Sequence, residues 1–393
     1  MKFESKTVHA GDRQKQGNFT PVTTPIYTAA SYTYESMAQL DRVFGREEAG
    51  PSYARYDNPT VSALQDLVNE LEGGHGALAC SSGMMALHLA VLAALVDRPK
   101  RVVAGHVLYG ATTHMLMTVF GALGVETTFV DMCDLAAVEA AVKETKPGAV
   151  VVESITNPML RVCAMDQVAA IARRANAPLI VDNTFATPML LRPLELGASM
   201  VIHSATKYLA GHGDVLGGVI ISDQENLETL ITLSRTIGPN LSPFEAYLTM
   251  RGIKTLALRM EKQCANANSL AAWLAAHPCI ERVHFPGDPA HPDAANVRRL
   301  FPQDRSGAMI AFELKNAGQK EVFAFMDRLQ MIVRATSLGD VHTMMLYPAM
   351  ASHRDLSAKH RERLGIRDSL VRISAGIEAI EDIIADLDQA LRA

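Results

Sequence analysis

Between residues 76 and 221 the chain repeats one pattern: a short apolar run, a polar turn, then a segment of helix length. The runs at 101–104, 125–131, 149–152, 178–181 and 200–202 are rich in Val and Ile, and segments such as 135–143 and 165–175 separate them. Short unbroken apolar runs interleaved with helices are βαβ units, so the reading is an α/β domain with a mostly parallel sheet. The stretch 77–80 adds an opening apolar piece before a Ser81-Ser-Gly83 turn and a long helix, and 218–221 adds a last strand. Sheets of this kind bind ligands beyond the C-terminal ends of their strands.

The polar residues fall at those ends: Tyr109, Asn157, Asp182, Ser204, Thr206 and Lys207. Each alone is an ordinary cap or turn former; their recurrence at successive strand ends is what points to a site. Lys207 directly follows a buried strand, where an unpaired ammonium costs several kcal/mol. Such surroundings lower a lysine's pKa and let it form a Schiff base with an aldehyde. The Ser204 and Thr206 hydroxyls beside it suit a phosphate. Aldehyde and phosphate together suggest pyridoxal 5′-phosphate (PLP); the plain alternative is a solvated strand-to-loop junction.

Other residues fit the same cofactor. A carboxylate at Asp182 can keep a pyridinium nitrogen protonated, which makes the ring an electron sink. Tyr109 can stack on the ring and Asn157 can bond its hydroxyl. At the Ser81-Ser-Gly83 turn, free N–H groups at a helix start offer a phosphate site and Gly83 permits close approach; a simple N-capped core helix reads equally well there. Thr60 is a candidate cap for the helix after it. No Gly-x-Gly-x-x-Gly follows the first strand, which disfavours a dinucleotide.

The flanks differ in character. Residues 1–58 are rich in Thr, Ser, Tyr and Pro and read as an arm lying on something larger. Within it Tyr53 and Arg55 alternate, as on one side of an extended segment, and both are good phosphate donors; a surface turn begun at Asn58-Pro59 is the alternative. Residues 59–254 carry the α/β pattern. Residues 255–393 read as a smaller α+β domain: a long helix to about 277, a strand at 309–314, a long loop at 337–354 and a closing amphipathic helix. Arg372 sits in an alternating apolar strand, as a snorkelling surface residue or as a clamp for a substrate carboxylate.

Composition narrows the classes. The 393 residues carry a formal charge of −5, with no basic field for nucleic acid. No apolar run approaches the roughly 18 residues of a membrane span, and Met1-Lys-Phe-Glu-Ser-Lys has no apolar stretch after it, so no leader is expected. Five scattered cysteines without a Cys-x-x-Cys pair fit a reducing cytoplasm, and the histidines offer no His-Glu-x-x-His, so no metal is expected.

Eight motifs in order resemble the cystathionine γ-synthase and methionine γ-lyase family of PLP enzymes (Cys/Met metabolism, fold type I). They are Tyr53-Ala-Arg-Tyr-Asp-Asn-Pro-Thr60, Ser81-Ser-Gly-Met84, Leu108-Tyr-Gly110, Glu153-Ser-Ile-Thr-Asn-Pro158, Val181-Asp-Asn-Thr-Phe-Ala186, Ser204-Ala-Thr-Lys-Tyr208, Ser337-Leu-Gly339 and Arg372-Ile-Ser-Ala-Gly-Ile-Glu378. The resemblance implies a mostly parallel seven-stranded sheet flanked by helices, with a smaller C-terminal domain and an N-terminal arm. It implies Lys207 as Schiff-base lysine and proton shuttle, Asp182 on the ring nitrogen, and Tyr109 stacking and assisting as acid or base. Gly83, Met84, Ser204 and Thr206 would hold the phosphate. Tyr53 and Arg55 would reach the phosphate of a neighbouring subunit, in a dimeric active unit and a tetramer. Asn157, Ser337 and Arg372 would hold the ring hydroxyl and the substrate carboxylate.

The activity so implied is γ-elimination on methionine, homocysteine or cystathionine, giving 2-oxobutanoate, ammonia and a thiol. The alternative is γ-replacement on an activated homoserine ester, by a cystathionine γ-synthase or an O-acetylhomoserine sulfhydrylase. A catalytically inactive binding protein of the same fold is a remote third, which the intact lysine, aspartate and arginine argue against. Ala111, His342 and Tyr347-Pro348 depart from the family's usual residues at positions expected to line the substrate pocket.

Overall fold

The computed structural model describes residues 1–13, 19–354 and 358–392, so residues 14–18 of the arm lie outside it. The larger sheet contains β1 (Gly76–Cys80), β2 (Arg101–Gly105), β3 (Glu126–Val130), β4 (Ala149–Glu153), β5 (Leu179–Asp182), β6 (Met200–Ser204) and β7 (Gly218–Ser222). Their order in space is β1-β7-β6-β5-β4-β2-β3. All run parallel except β7, which is antiparallel to both its neighbours.

The strand residues explain why both faces are covered. Val102, Ala104, Val151, Ile180, Ile202 and Ile220 join one core with the helix Gly83–Ala94. Their neighbours Val103, Val150, Val152, Val181 and Val201 join another with the helices Leu135–Thr145 and Met165–Arg174. This is the two-residue period of a strand, with both faces apolar. Because β1 and β6 both pair with β7, Cys80, Gly218 and Ser204 stand in one row at the same sheet edge. The turn after β1 thus meets the turn after β6.

The helix Pro59–Glu72 is capped by Asn58, not by Thr60: the Asn58 side chain accepts from the N–H groups of Thr60 and Val61, with Pro59 in the first turn. The Thr60 hydroxyl instead accepts from the Tyr27 N–H and donates to the Pro25 carbonyl, tying down the arm. Tyr53 to Asp57 form a turn, with Tyr56 N–H donating to Tyr53 O at 2.8 Å, and not an extended segment.

The smaller sheet has β8 (Ile280–His284), β9 (Met309–Leu314), β10 (Val333–Arg334), β11 (Met344–Leu346) and β12 (Leu370–Ser374), in the order β10-β11-β12-β9-β8. β11 interrupts the expected 337–354 loop, where it is held between β10 and β12. Helices Gln224–Ile237 and Pro243–Ile253 lead from the larger sheet to the long helix Leu256–Ala276. Buried Arg259 on that helix donates to the carbonyls of Leu209 and Gly252 at 3.3 and 2.9 Å, so it fastens the loop that follows Lys207.

Gly211 lies in that loop at φ +70, and a Cβ there would stand 2.2 Å from Arg259 Nη1. Gly124 has a similar φ of +78 with open space around it. Gly124→Ala should therefore cost about 1 kcal/mol for the left-handed backbone alone. Gly211→Ala should cost roughly 2 kcal/mol more, because the guanidinium must also move. Urea unfolding midpoints of the two variants test this, and equal losses would refute the clash.

Candidate active site

A cavity of about 420 Å³ opens at the C-terminal edge of β4, β5 and β6. Gly83, Met84, Tyr109, Asn157, Asp182, Ser204, Thr206, Lys207 and Arg372 all line it. Ser337 meets it through Lys207, whose Nζ donates to Ser337 Oγ at 2.9 Å. Ten of the twelve residues singled out above therefore converge. Tyr53 and Arg55 do not: in their own chain Arg55 lies at the end of helix Gln224–Ile237, donating to the Arg235 carbonyl and stacking over Tyr56 at 4.6 Å, and Tyr53 packs edge-on against Tyr56.

The lysine is mostly out of water. Burial, with the Arg372 charge adding to it, lowers its pKa to about 8. Asp182 ends the neighbouring strand, accepting the Thr184 N–H at 3.0 Å. Burial raises its pKa, opposed by the Thr184 hydrogen bonds and the His203 charge.

Arg372 is buried in β12 and is no surface residue. It reaches across to the loop after β4, donating to Asn157 Oδ1 at 2.7 Å and to the Ser337 carbonyl at 3.4 Å, while its Nε has no partner among the described residues. Burial lowers its pKa to about 10, so it stays cationic at neutral pH. Among the described residues neither Lys207 nor Arg372 forms a salt bridge. A buried guanidinium with a free N–H and no carboxylate is suited to an incoming anion.

The phosphate side follows from the row of strand ends. Gly83 opens the helix Gly83–Ala94, and a Cβ on it would stand 2.8 Å from Ser204 Cβ. Only glycine lets the helix start pack this closely on the strand end. Ser204 N–H donates to Thr184 Oγ1, and Thr206 Oγ1 accepts the Gly217 N–H at 3.0 Å. Helix N–H groups beside two hydroxyls form a cradle for a phosphate, an amine lies next to it, and a carboxylate stands one strand away. This donor set fits pyridoxal phosphate.

Two lining features had no role assigned from the sequence. Glu153, at the end of β4, accepts the Tyr109 and Asn157 N–H groups on its two oxygens, at 2.6 and 3.0 Å. Its place in the Glu153-Ser-Ile-Thr-Asn-Pro158 motif was the available signal. Ala351 and Ser352, from the loop after β11, close the other side. Conversely, Ala111, His342 and Tyr347 do not line the cavity. His342 is turned outward and pairs with Asp340 at 2.8 Å, and the Tyr347 hydroxyl donates to the Asp368 carbonyl. The chain's own pocket is thus walled by Leu346, Ala351 and Ser352 where those departures were expected.

The family described as Cys/Met metabolism PLP-dependent enzyme matches residues 4–392. The L-methionine gamma-lyase of Pseudomonas putida is 41% identical, with 100% of this chain and 97% of that protein aligned. The O-succinylhomoserine sulfhydrylase of Pseudomonas aeruginosa is 38% identical, over 100% and 95%. The crystal structure of cystathionine gamma-lyase from Lactobacillus plantarum, complexed with L-serine, superposes with a TM-score of 0.92 at 34% identity, covering 100% of this chain and 99% of that one. A lysine and an aspartate on adjacent strand ends, a glycine-opened helix start beside two hydroxyls and a match along nearly the whole length place the chain among the PLP-dependent enzymes of cysteine and methionine metabolism.

Proposed function

We propose that the protein is a carbon–sulfur lyase that carries out γ-elimination on a sulfur amino acid, methionine, homocysteine or cystathionine, to give 2-oxobutanoate, ammonia and a thiol. The observation that carries this is the half-buried Lys207 amine, bonded to Ser337 among the described residues, in one cavity with the Asp182 carboxylate and the Arg372 guanidinium. The 41% identity to a methionine γ-lyase favours elimination. The sulfhydrylase at 38% keeps γ-replacement on a homoserine ester as the second reading.

Pyridoxal phosphate, when bound, supplies an electron sink that takes up the charge left when protons are removed from the substrate carbon. Lys207 would carry its aldehyde and Asp182 would hold its ring nitrogen. Gly83, Met84, Ser204 and Thr206 would hold its phosphate. Asn157 would bond the ring hydroxyl and Tyr109 would stack on the ring. Arg372 and Ser337 bind the substrate carboxylate, which places Cα near the Lys207 amine. With its pKa near 8, that amine can hold and release a proton near neutral pH. It moves protons at Cα and Cβ while the γ-substituent leaves, and Tyr109 assists as acid or base.

The chain is read as an arm at 1–58, a cofactor-binding domain at 59–254 and a C-terminal domain at 255–393. Tyr53 and Arg55 lie away from the cavity of their own chain, which supports their serving a second copy, in a dimeric active unit and a tetramer. Five free thiols fit a cytoplasmic enzyme.

Three measurements test these assignments. Purified enzyme should release 2-oxobutanoate from L-methionine without added thiol, and Lys207→Ala should lower turnover roughly a thousandfold. Product from O-acetyl- or O-succinyl-homoserine only in the presence of a thiol would assign replacement instead. In cofactor-free protein, acetic anhydride should label Lys207 at a rate that rises with pH and levels off above about 8. Exposed lysines should keep gaining reactivity to about 10, and a Lys207 profile like theirs would contradict the buried amine. Finally, Arg55→Ala and Lys207→Ala chains, each inactive alone, should recover about a quarter of wild-type sites when refolded as an equal mixture. No recovery would confine each site to one chain.

A further inference from the structure

We propose that Glu153 is a positioning residue for the reaction: its two carboxylate oxygens hold the main chains of Tyr109 and Asn157, so one side chain sets the placement of both residues that flank the ring. The inference rests on the ring-binding roles of Tyr109 and Asn157 proposed above.

The geometry is specific. Glu153 is buried at the end of β4, directly opposite Asp182 in the ladder between β4 and β5. One oxygen accepts the Tyr109 N–H at 2.6 Å and the other the Asn157 N–H at 3.0 Å. Tyr109 precedes the short helix Gly110–His114 and has no side-chain cap. Its main chain is fixed on one side by Glu153 and on the other by close packing, since a Cβ on Gly110 would stand 2.1 Å from the Ser352 carbonyl. Asn157 in turn presents its Oδ1 to Arg372. Cofactor ring, ring hydroxyl and carboxylate clamp therefore share one anchor.

Placing two carboxyls side by side has a cost that a purely structural tie would avoid. Burial and the Asp182 charge raise the Glu153 pKa, against the two N–H donors and Arg372. A threonine or asparagine at a loop start could cap one N–H without that repulsion. What the long carboxylate adds is a bridge between two loops.

The test is a double-mutant cycle on kcat/KM with L-methionine as substrate. Glu153→Gln keeps the shape but turns an amide NH2 toward one of the two N–H groups. It should lower kcat about ten- to a hundredfold with KM changed less than threefold. In a Tyr109→Phe background the same change should cost at least threefold less, because the hydroxyl whose placement Glu153 sets is no longer there to be misplaced. Visible circular dichroism of the bound cofactor should fall by half or more, while the thermal midpoint stays within a few degrees. Glu153→Asp, which keeps both acceptors but withdraws them by one methylene, is the second variant should the glutamine form fold poorly; it should show the same loss in smaller degree. Additive effects in the cycle with unchanged dichroism would overturn the proposal. Borohydride incorporation at Lys207 in the same samples separates the two levels. Label with an additive cycle refutes the Glu153 role alone, and no label in wild type refutes the cofactor assignment and this inference with it.

Discussion

Two cations, Arg372 buried and Lys207 half-buried, neither in a salt bridge among the described residues, govern the architecture. Among the described residues Lys207 bonds the Ser337 hydroxyl, and Arg372 the Asn157 amide oxygen and a backbone carbonyl. Desolvating an ion costs several kcal/mol, and neutral hydrogen bonds return part of it. The rest must come from the surrounding cores, where Tyr208 and Leu209 pack with Met260, Val297 and Met309 of the smaller domain. That shared core holds the loop after β6 against β9 and β12, and so brings the two charges to one cavity.

The position of β7 is the topological counterpart. Running antiparallel between β1 and β6, it spaces the first turn from the lysine turn by one strand and keeps both at one edge. Gly218 at the start of β7 would carry its Cβ 2.2 Å from the Ser82 carbonyl, so this row too depends on a missing side chain. Helix start, hydroxyls and amine meet because three backbones come close, and no long side chain has to reach.

How much could be read in advance followed from how local the signal was. β2, β4, β5, β6 and β7 are largely apolar runs legible from residue type, while β3, Glu126-Thr-Thr-Phe-Val130, is a mixed edge strand. β8 escaped notice because Ile280-Glu-Arg-Val-His284 is an edge strand with exposed polar positions, and β11 because Met344–Leu346 is a strand only through its pairing with β10 and β12. The cap of the first long helix was misplaced by two residues, since Asn58 and Thr60 are both good caps and only the arm decides between them. Ten site residues converged because strand ends and motif resemblance agreed. Arg372 was ambiguous between surface and clamp because its partner Asn157 is 215 residues away. Glu153 was visible as a strand end, but its hold on two loops exists only in three dimensions.

The Arg372–Asn157 bond joins a residue of the smaller sheet to the loop after β4. Under the assignment proposed here, an arriving carboxylate competes with the Asn157 oxygen for the same guanidinium. Amines lacking the acid group would leave that bond undisturbed, and on that assignment the contact would sense the α-amino acid backbone apart from whatever sulfur substituent it bears.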